Sequence, residues 1–377
     1  MSHQKGSRRL RIARVVPALD FGGVETRIGL QSETHDRERF DLHVITFHRD
    51  GRAGLRVRAA GVPVHTLDVH PSVRRPSTTL ALTRELLRLQ PDLVHASAGE
   101  GMFHAAIAGR LARVPRVVLE EVGMPSRGTA GHLVFGALFR AVDGVVSVSG
   151  ALRDYLRETE RLPEEKAWLI YNCAQPRYFE PVSRTWPRRA RFRFFTAGRL
   201  VPQKNLSMLL DALRAVIDVE PEVELHIAGE GPLRADLEQQ ILRLGLERHV
   251  TLLGFRADVP ALLDKCSAFV FPAGWGEGCS NALVEAMARA TPVISSDAPG
   301  NPEVAGGLGL DWLVSPDDPS GWTRAMLRLV RAPLEERRAH GELGRVIAEA
   351  DFSPGRYIAD VERMYTHAMR RTAMGVR

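Results

Sequence analysis

The segment from Phe271 to Asp297, FPAGWGEGCSNALVEAMARATPVISSD, decides the fold class of this chain. It starts at the end of an apolar run and passes through a glycine-rich loop. A helical pattern follows from about Ser280, and a second apolar run begins after Pro292. A strand, a helix and a second strand in this order form the unit from which parallel α/β sheets are built. The segment therefore predicts a parallel sheet covered by helices.

The same alternation of short apolar runs and helical patterns extends over the whole chain and predicts two doubly wound α/β domains. Its 377 residues exceed the ~250–300 residues that one core usually serves. The predicted strands of the first domain are Leu10–Val16, Asp41–Phe47, Val62–Thr66, Leu93–Ala96, Arg116–Leu119 and Gly144–Val148, with a helix at Thr79–Leu89 whose apolar stripe includes Leu80 and Leu87. Those of the second are Phe192–Ala197, Glu224–Ala228, Val250–Leu253, Ala268–Phe271 and Pro292–Ser295, with helices at about Leu206–Val219, Leu233–Leu244 and Ala282–Arg289.

A stretch without clear periodicity, Arg177–Arg191, separates the two series and resembles a linker. We expect an N-terminal domain at residues 1–179, a C-terminal domain at 180–353 and a last helix at 354–377 that packs back toward the N-terminal domain. Open α/β sheets bind ligands outside the carboxyl ends of their strands. Two such sheets that face each other would therefore hold a site in the cleft between them.

Composition and charge narrow the possible functions. With 44% hydrophobic and 25% charged residues, the chain is typical of a globular protein and not of a disordered or fibrous one. The net charge of +6 lies wholly in residues 1–180, which carry 26 basic and 20 acidic side chains. Such an excess favours phosphates or an anionic membrane surface as partners. We expect no nucleic-acid partner, because 47 of the 51 cations are Arg residues scattered along the whole chain.

Cysteine usage and hydropathy point to the cytoplasm. Three cysteines without a C-x-x-C motif support neither a disulfide framework nor a zinc site. The apolar run before Pro17 is too short for a signal peptide, and the most apolar long window, Gly131–Gly150, contains charged residues. Within that window, residues 131–142 have an apolar face. A buried helix explains this face better than docking on a membrane, although peripheral contact with the inner membrane face stays open.

The glycine-rich loop after Phe271 has the features of an anion site. Ser280 is the predicted N-cap of the following helix, which leaves the first helical amides, Asn281–Leu283, free to meet an anion such as a diphosphate. Glu277 lies on the loop, and Glu285 follows eight residues later, about two helical turns on, so that both could border one pocket.

This segment resembles the Glu-x7-Glu signature of the retaining, nucleotide-sugar-dependent glycosyltransferases of family 4. The resemblance implies their GT-B fold, an α/β fold of two doubly wound Rossmann-like domains with an interdomain cleft. Further motifs match those of the family in order along the chain. They are Phe21–Thr26, Ile170–Cys173 with Asn172, Thr196–Asn205, Ala228–Pro232 and Leu253–Phe255.

The resemblance implies roles for individual residues. Arg199 and Lys204 would hold the donor diphosphate, where charge accumulates as the glycosidic bond breaks. Glu277 would contact the donor sugar, and Glu285 would accept hydrogen bonds from the nucleoside ribose. Taken alone, Arg199 and Lys204 would be read as a structural ion pair and a solvated cation. Further donor contacts are implied for Gly22, Gly23, Gly198, Glu230, Gly278, Cys279, Ser280, Asn281 and Ala282.

One position departs from the family pattern. Relatives often carry a His after the fifth strand of the N-terminal domain, where this chain has Glu121 or, with a slip of one residue, Glu120. A carboxylate can accept from a hydroxyl or act as a base toward the acceptor. We therefore include Glu121 among the candidate catalytic residues, beside the alternative of a strand-end salt bridge. His95, expected at a turn at the sheet edge, and His104, expected on the next helix, are interpreted as packed or surface residues.

Together these features predict a retaining glycosyltransferase that transfers a sugar from a nucleoside diphosphate to an acceptor hydroxyl. The acceptor would be a saccharide, a lipid-linked saccharide or a small natural product. The resemblance implies a front-face mechanism and neither a cofactor nor an obligatory metal. Two alternatives are a nucleotide-sugar epimerase of similar architecture and a non-catalytic basic protein that binds surfaces. A nicotinamide-dependent oxidoreductase is disfavoured, because no G-x-G-x-x-G follows the first strand.

Overall fold

A computed structural model describes residues 8–20, 22–181 and 191–370. The chain divides into two compact units. The first comprises the chain up to Tyr171 together with the residues from Gly355 onward, and the second is Asn172–Pro354. Phe21 and residues 182–190 of the expected linker lie outside the described residues.

The units divide between Tyr171 and Asn172, earlier than the expected boundary at 179/180. The residues directly after Tyr171 are bonded within the second unit. The side-chain amide of Asn172 donates to the carbonyl of Cys279 at 2.6 Å, and the amide of Ala174 donates to the carbonyl of Phe352 at 3.3 Å. These bonds explain why the chain joins the second unit before the aperiodic stretch begins.

The first unit is built on a seven-stranded parallel sheet in the order β3-β2-β1-β4-β5-β6-β7. Its central strands are almost wholly buried, as expected for parallel strands covered by helices on both faces. The strands are β1 (Leu10–Leu19), β2 (Phe40–Asp50), β3 (Val64–Thr66), β4 (Leu93–Ser97), β5 (Arg116–Glu121), β6 (Gly144–Ser147) and β7 (Ala167–Leu169). The helices are α1 (Gly23–Thr34), α2 (Arg52–Ala59), α3 (Pro76–Leu89), α4 (Gly99–Leu111), α5 (Thr129–Ala141), α6 (Gly150–Thr159) and, from the C-terminus, α14 (Pro354–Arg370).

The second unit is built on a six-stranded parallel sheet in the order β10-β9-β8-β11-β12-β13. The strands are β8 (Phe192–Ala197), β9 (Val223–Ala228), β10 (Val250–Gly254), β11 (Ala268–Phe271), β12 (Val293–Ser296) and β13 (Leu313–Val314). The helices are α7 (Leu206–Val219), α8 (Arg234–Arg243), α9 (Val259–Lys265), α10 (Asn281–Ala288), α11 (Asn301–Ala305), α12 (Pro319–Arg331) and α13 (Leu334–Asp351).

The predicted fold class is confirmed, since two parallel sheets are present and every predicted strand is found within a few residues of its expected ends. Two strands were not predicted. They are β7 and β13, of three and two residues, which are too short for a pattern of hydrophobic residues to reveal.

On two helices, some apolar residues of the predicted buried face are exposed in the structure. On α3, Leu80 and Leu87 are 51% and 54% exposed, so they do not belong to the buried stripe that the pattern suggested. On α5, Phe135 and Phe139 are buried, whereas Leu133 is exposed. Among the described residues, no helix combines the length and apolarity needed to cross a membrane.

The packing of α7 leads to a prediction about stability. Leu213 of α7 is fully buried, whereas Leu242 of α8 is 62% exposed. We expect Leu213→Ala to destabilise the protein by about 2–5 kcal/mol, because it leaves a cavity. Leu242→Ala serves as the matched control and should change stability by no more than about 0.5 kcal/mol. Urea unfolding followed by circular dichroism measures both, and equal effects would contradict the packing described for α7.

Candidate active site

The candidate residues of the second unit lie where its strand order reverses. From β8 the chain adds β9 and β10 toward one edge and then returns to place β11 on the other side of β8. The loops after β8 and β11 therefore leave the carboxyl edge of the sheet side by side. This is the point at which open α/β sheets bind ligands.

Three of the four predicted catalytic residues are brought together on these two loops. Lys204 Nζ lies 2.8 Å from Glu277 Oε1, and both side chains are less than one fifth exposed. Lys204 Nζ also lies 4.7 Å from the centre of the Phe271 ring, within range of a cation–π contact. Arg199 lines the same small pocket as Lys204, Phe271 and Gly198. Two cations and one carboxylate thus converge at the ends of β8 and β11.

Glycines let the two loops approach closely. Gly276 has φ +77°, and a Cβ there would lie 2.4 Å from Gln203 Nε2. The amide of Gly274 donates to the carbonyl of Gln203 at 2.9 Å. The backbone that carries Glu277 is therefore held against the loop that carries Lys204, and the left-handed φ of Gly276 favours glycine at that position.

Gly198 and Glu230 lie at the ends of the neighbouring strands β8 and β9. A Cβ on Gly229, which has φ +140°, would lie 1.8 Å from the carbonyl oxygen of Gly198. The Glu230 carboxylate is 55% exposed and pairs with Arg234 at 3.3 Å. Glu230 therefore borders the carboxyl edge one strand further from Glu277 than Gly198 does.

The start of α10 differs from the prediction in one respect. Ser280 occupies the N-cap position as expected, but its hydroxyl makes no capping hydrogen bond to the first turn. Cys279 and Ser280 are buried, whereas Asn281 and Ala282 are partly exposed. Among the described residues, Asn281 Oδ1 is a buried acceptor without a hydrogen-bond partner. Gly278 is buried, and its carbonyl closely approaches Gly300.

Glu285, on the second turn of α10, is held in an environment that disfavours its charge. Burial raises the pKa of Glu285 to about 7, against the opposing effects of a hydrogen bond from Tyr178 and the charge of Arg177. Burial also raises the pKa of Tyr178, which is 2% exposed, so its hydroxyl remains a donor. Sequence reasoning missed Tyr178, because its partner lies on a helix more than 100 residues later in the chain.

The hydrogen bond from Asn172 to Cys279 is a second contact that the sequence did not reveal. Its side-chain amide donates to the carbonyl of Cys279 at 2.6 Å, although the two residues are 107 positions apart. The bond therefore holds the backbone of the loop between Glu277 and Ser280. The motif around Asn172 marked the residue as notable, but no feature of the sequence identified its partner.

In the first unit, Gly22 and Gly23 lie at the start of α1, at the reversal of strand order between β1 and β4. Gly22 is the N-cap residue, and both glycines are exposed. A Cβ on Gly22 would lie 2.3 Å from Glu25 Oε2. Glu25 occupies the third helical position and folds back over the N-cap, as acidic residues there often do. This contact is a structural reason for Gly22 beside the expected approach of a ligand.

Glu121 ends β5 and is 5% exposed, in an ion pair with Arg127. Arg127 Nη1 also contacts Glu160 at 2.7 Å, and Glu160 contacts His132 at 3.0 Å. Burial raises the pKa of Glu121 to about 7, although Arg127 opposes the shift. The structure therefore contains the strand-end salt bridge that was the alternative interpretation of Glu121.

Glu120 and His95 belong to a buried cluster in the centre of the first unit. Glu120 contacts Arg14 at 3.0 Å and Arg27 at 2.8 Å. His95 lies within the central strand β4 and is 1% exposed, so the expected turn at the sheet edge was wrong. His104 is buried on α4 as expected, and its Nδ1 lies 2.8 Å from the Thr79 hydroxyl. Within residues 8–20, 22–181 and 191–370, no group of three or more His, Cys, Asp or Glu side chains is arranged to hold a metal ion.

Comparison with solved structures agrees with this architecture. HepE from Anabaena, in complex with UDP and glucose, superposes with a TM-score of 0.81 at 21% identity, over 95% of this chain and 100% of that one. A glycosyltransferase from Rickettsia africae superposes with a TM-score of 0.82 at 15% identity, over 96% and 99%. At these identities the likeness shows the fold, which is GT-B.

Two sequence relatives match about four fifths and half of this chain. The UDP-Gal:alpha-D-GlcNAc-diphosphoundecaprenol alpha-1,3-galactosyltransferase of Escherichia coli is 26% identical over 315 residues, which cover 78% of this chain and 81% of the relative. The MMP alpha-(1->4)-mannosyltransferase of Mycolicibacterium hassiacum is 35% identical over 193 residues, covering 50% and 46%.

Two family models match successive parts of the chain. The one described as Glycosyltransferase Family 4 matches residues 21–177, and the one described as Glycosyl transferases group 1 matches residues 191–332. The first covers most of the seven-stranded unit and the second most of the six-stranded unit. With glycosyltransferases as its relatives and GT-B enzymes as its structural neighbours, the chain belongs to the family-4 glycosyltransferases.

Proposed function

We propose that the protein transfers a sugar from a nucleoside diphosphate to an acceptor hydroxyl with retention of configuration. The observation that carries the proposal is the convergence of Arg199, Lys204 and Glu277 beside the start of α10. Two cations and a helix N-terminus favour a bound diphosphate. The names of the Escherichia coli relative and of the HepE complex mention UDP-Gal and UDP, which supports a nucleotide-sugar donor.

In this proposal Arg199 and Lys204 bind the donor diphosphate. As the bond between the anomeric carbon and the phosphate oxygen breaks, negative charge collects on that oxygen, and the two cations stabilise it. Lys204 Nζ donates to Glu277 Oε1 at 2.8 Å, so Glu277 holds the ammonium at the end of β11. Such preorganisation reduces the free energy needed to align groups in the transition state.

Glu277 and Asn281 are proposed to contact the sugar, and Glu285 the ribose. Glu277 retains acceptor capacity beyond its bond to Lys204, and Asn281 Oδ1 is a buried acceptor that a sugar hydroxyl would satisfy. The Glu285 carboxylate already accepts from the Tyr178 hydroxyl. A ribose diol would supply the further donors that an ionised carboxylate can accept.

Retention is proposed to follow a front-face path. The departing phosphate oxygen takes the proton of the attacking acceptor hydroxyl, which then bonds to the anomeric carbon on the face that the phosphate leaves. Glu277, whose carboxylate is paired with Lys204, would orient the sugar and would not form a covalent glycosyl intermediate. The protein then contributes positioning and charge stabilisation.

We propose a lipid-linked saccharide as the acceptor. The name of the Escherichia coli relative includes a diphosphoundecaprenol-linked sugar. Peripheral contact with an anionic membrane fits such an acceptor, because Leu133 and Val134 of α5 are 72% and 44% exposed. Exposed apolar side chains on a helix surface can enter the interface of a bilayer.

The first prediction concerns the diphosphate cations. We expect Lys204→Ala and Arg199→Ala each to lower the transfer rate by about 100-fold or more, because a stabilising charge is lost in the transition state. Arg243→Ala, at an exposed position at the end of α8, removes an equivalent charge elsewhere and should leave the rate unchanged. Radiolabelled sugar transfer measures the rates. Near-normal turnover in both site variants would remove the assignment of the diphosphate.

The second prediction concerns pH. Because the pKa of Glu285 is about 7 in the folded protein, its carboxylate gains charge as the pH rises through 7. If only the ionised form binds the ribose, affinity for UDP should strengthen by about tenfold between pH 6 and pH 8. Isothermal titration calorimetry measures this. Glu285→Gln cannot ionise and controls for the titration of UDP itself, so identical pH profiles of the two proteins would contradict the role of Glu285.

The third prediction concerns stereochemistry. We expect the product to have the same anomeric configuration as the donor, because attack occurs on the face from which the phosphate departs. Proton NMR of the first-formed product with an α-linked donor distinguishes the anomers by their coupling constants. An inverted product would exclude the front-face path but would not contradict the assignment of the diphosphate to Arg199 and Lys204.

A further inference from the structure

A segment of the second unit, residues 172–180, is hydrogen-bonded to both ends of α10. Before the helix starts, the side-chain amide of Asn172 donates to the carbonyl of Cys279 at 2.6 Å. After the helix ends, Nη1 of Arg289 donates to the carbonyl of Glu180 at 3.0 Å. The segment therefore follows α10 from its start to its end, and these bonds fix where its side chains meet the helix.

Tyr178 is the residue of this segment that meets Glu285. It ends the short 3₁₀ helix Pro176–Tyr178, and the carbonyl of the next residue, Phe179, accepts from Arg345 of α13 at 2.8 Å. Tyr178 is 2% exposed, and its hydroxyl donates to the Glu285 carboxylate. A buried hydroxyl without a partner costs free energy, so this bond holds the ring and the carboxylate together.

The same hydroxyl also accepts a hydrogen bond from the side chain of Arg177. Arg177 is exposed, and its guanidinium carbon lies 5.2 Å from the centre of the Tyr178 ring. A chain of hydrogen bonds thus runs from an exposed cation through a buried hydroxyl to a carboxylate. Each bond in such a chain polarises the next one, so the hydroxyl becomes a stronger donor to Glu285. The cation itself stays in water, which avoids the desolvation that a buried cation would suffer.

Burial and this chain of hydrogen bonds act on Glu285 in opposite directions. Burial raises the pKa of Glu285, whereas the Tyr178 hydroxyl and the charge of Arg177 lower it. The arginines that hold residues 172–180 in place pair with other carboxylates, and these pairs are Arg289 with Asp264 and Arg345 with Glu349. Without the hydroxyl, burial would prevail further, and the carboxylate would ionise only at higher pH. The charge of Glu285 near neutral pH therefore depends on Tyr178.

We propose that Tyr178 is a positioning residue for the nucleotide, whose hydroxyl keeps the Glu285 carboxylate ionised near neutral pH and able to accept the ribose hydroxyls. The proposal rests on the ribose role proposed for Glu285. Tyr178 acts through Glu285 in this arrangement and does not touch the nucleotide. The affinity for the nucleotide near neutral pH then depends on a hydroxyl that lies outside the contacts of the ligand.

The variant Tyr178→Phe tests this role, because it removes the hydroxyl and keeps the ring. Isothermal titration calorimetry with UDP between pH 6 and pH 9 gives the midpoint, the pH at which the affinity reaches half of its plateau. We expect the midpoint to rise by about one unit, the scale of one lost hydrogen bond to a charged group. The affinity for UDP would then be about fivefold weaker than in the wild type at pH 7 and within about twofold of it at pH 9.

A matched control removes a buried hydroxyl elsewhere. Tyr365 of α14 is 1% exposed, and its hydroxyl accepts from Gln31 Nε2 at 3.0 Å. Tyr365→Phe should leave the midpoint unchanged and the affinity for UDP within about twofold of the wild type. Thermal unfolding of both variants shows whether each is folded.

An unmoved midpoint in Tyr178→Phe would overturn the proposal, and so would a loss of affinity that is equal at every pH, since a packing role does not depend on pH. If Tyr178→Phe does not fold, Arg177→Gln replaces it at an exposed position. This variant removes the cation and its bond to the hydroxyl and should raise the midpoint by about half a unit. An unchanged midpoint in Arg177→Gln would then refute the proposal.

The variant Glu285→Gln separates this inference from the proposed function, because its side chain cannot ionise and its profile reports the titration of UDP itself. Identical pH profiles of the wild type and Glu285→Gln would overturn the ribose role of Glu285 and this inference with it. If those two profiles differ but the midpoint of Tyr178→Phe equals that of the wild type, the ribose role stands and this inference alone is wrong.

Discussion

Parallel pairing of β8 with β11 is the constraint on which the candidate site depends. The two strands are neighbours in space, although 73 residues separate Lys204 from Glu277. Parallel strands release their following loops at the same edge of the sheet, so the pairing alone brings both loops together. The backbone bond from Gly274 to Gln203 holds the two loops together, and Lys204 and Glu277 form an ion pair of 2.8 Å across them.

Buried charge is the second theme of the molecule, and Glu120 and Glu285 illustrate two opposite outcomes. In the first unit, two arginines hold the pKa of Glu120 well below its usual value, so the carboxylate stays ionised despite its burial. In the second, Glu285 has the charge of Arg177 and a hydroxyl near it, and burial prevails. An ionised carboxylate that is fully paired serves structure. One that lies near its ionisation point is suited to binding that changes with conditions.

The sequence predicted the elements of the fold and the local part of the site well. The strand ends after β8 and β11 could be located because glycine-rich turns follow apolar runs, and Lys204 and Glu277 lie on those turns. The contacts of Asn172 and Tyr178 could not be predicted, since each bonds to a residue more than 100 positions away. Strands of two or three residues, such as β13, carry too few side chains to form a pattern. His95 was placed at a turn although the predicted strand Leu93–Ala96 contains it, because a polar residue in a central strand resembles a loop residue when its buried partners are unknown.

The loop that carries Glu277 packs closely against the backbone of Gly300. Gly300, with φ +89°, faces the carbonyl oxygen of Gly278, and a methyl group added there would come within 1.8 Å of it. A side chain at this position would therefore displace the loop that carries Glu277. In the proposed function, the placement of Glu277 then depends partly on a residue that does not itself contact the donor.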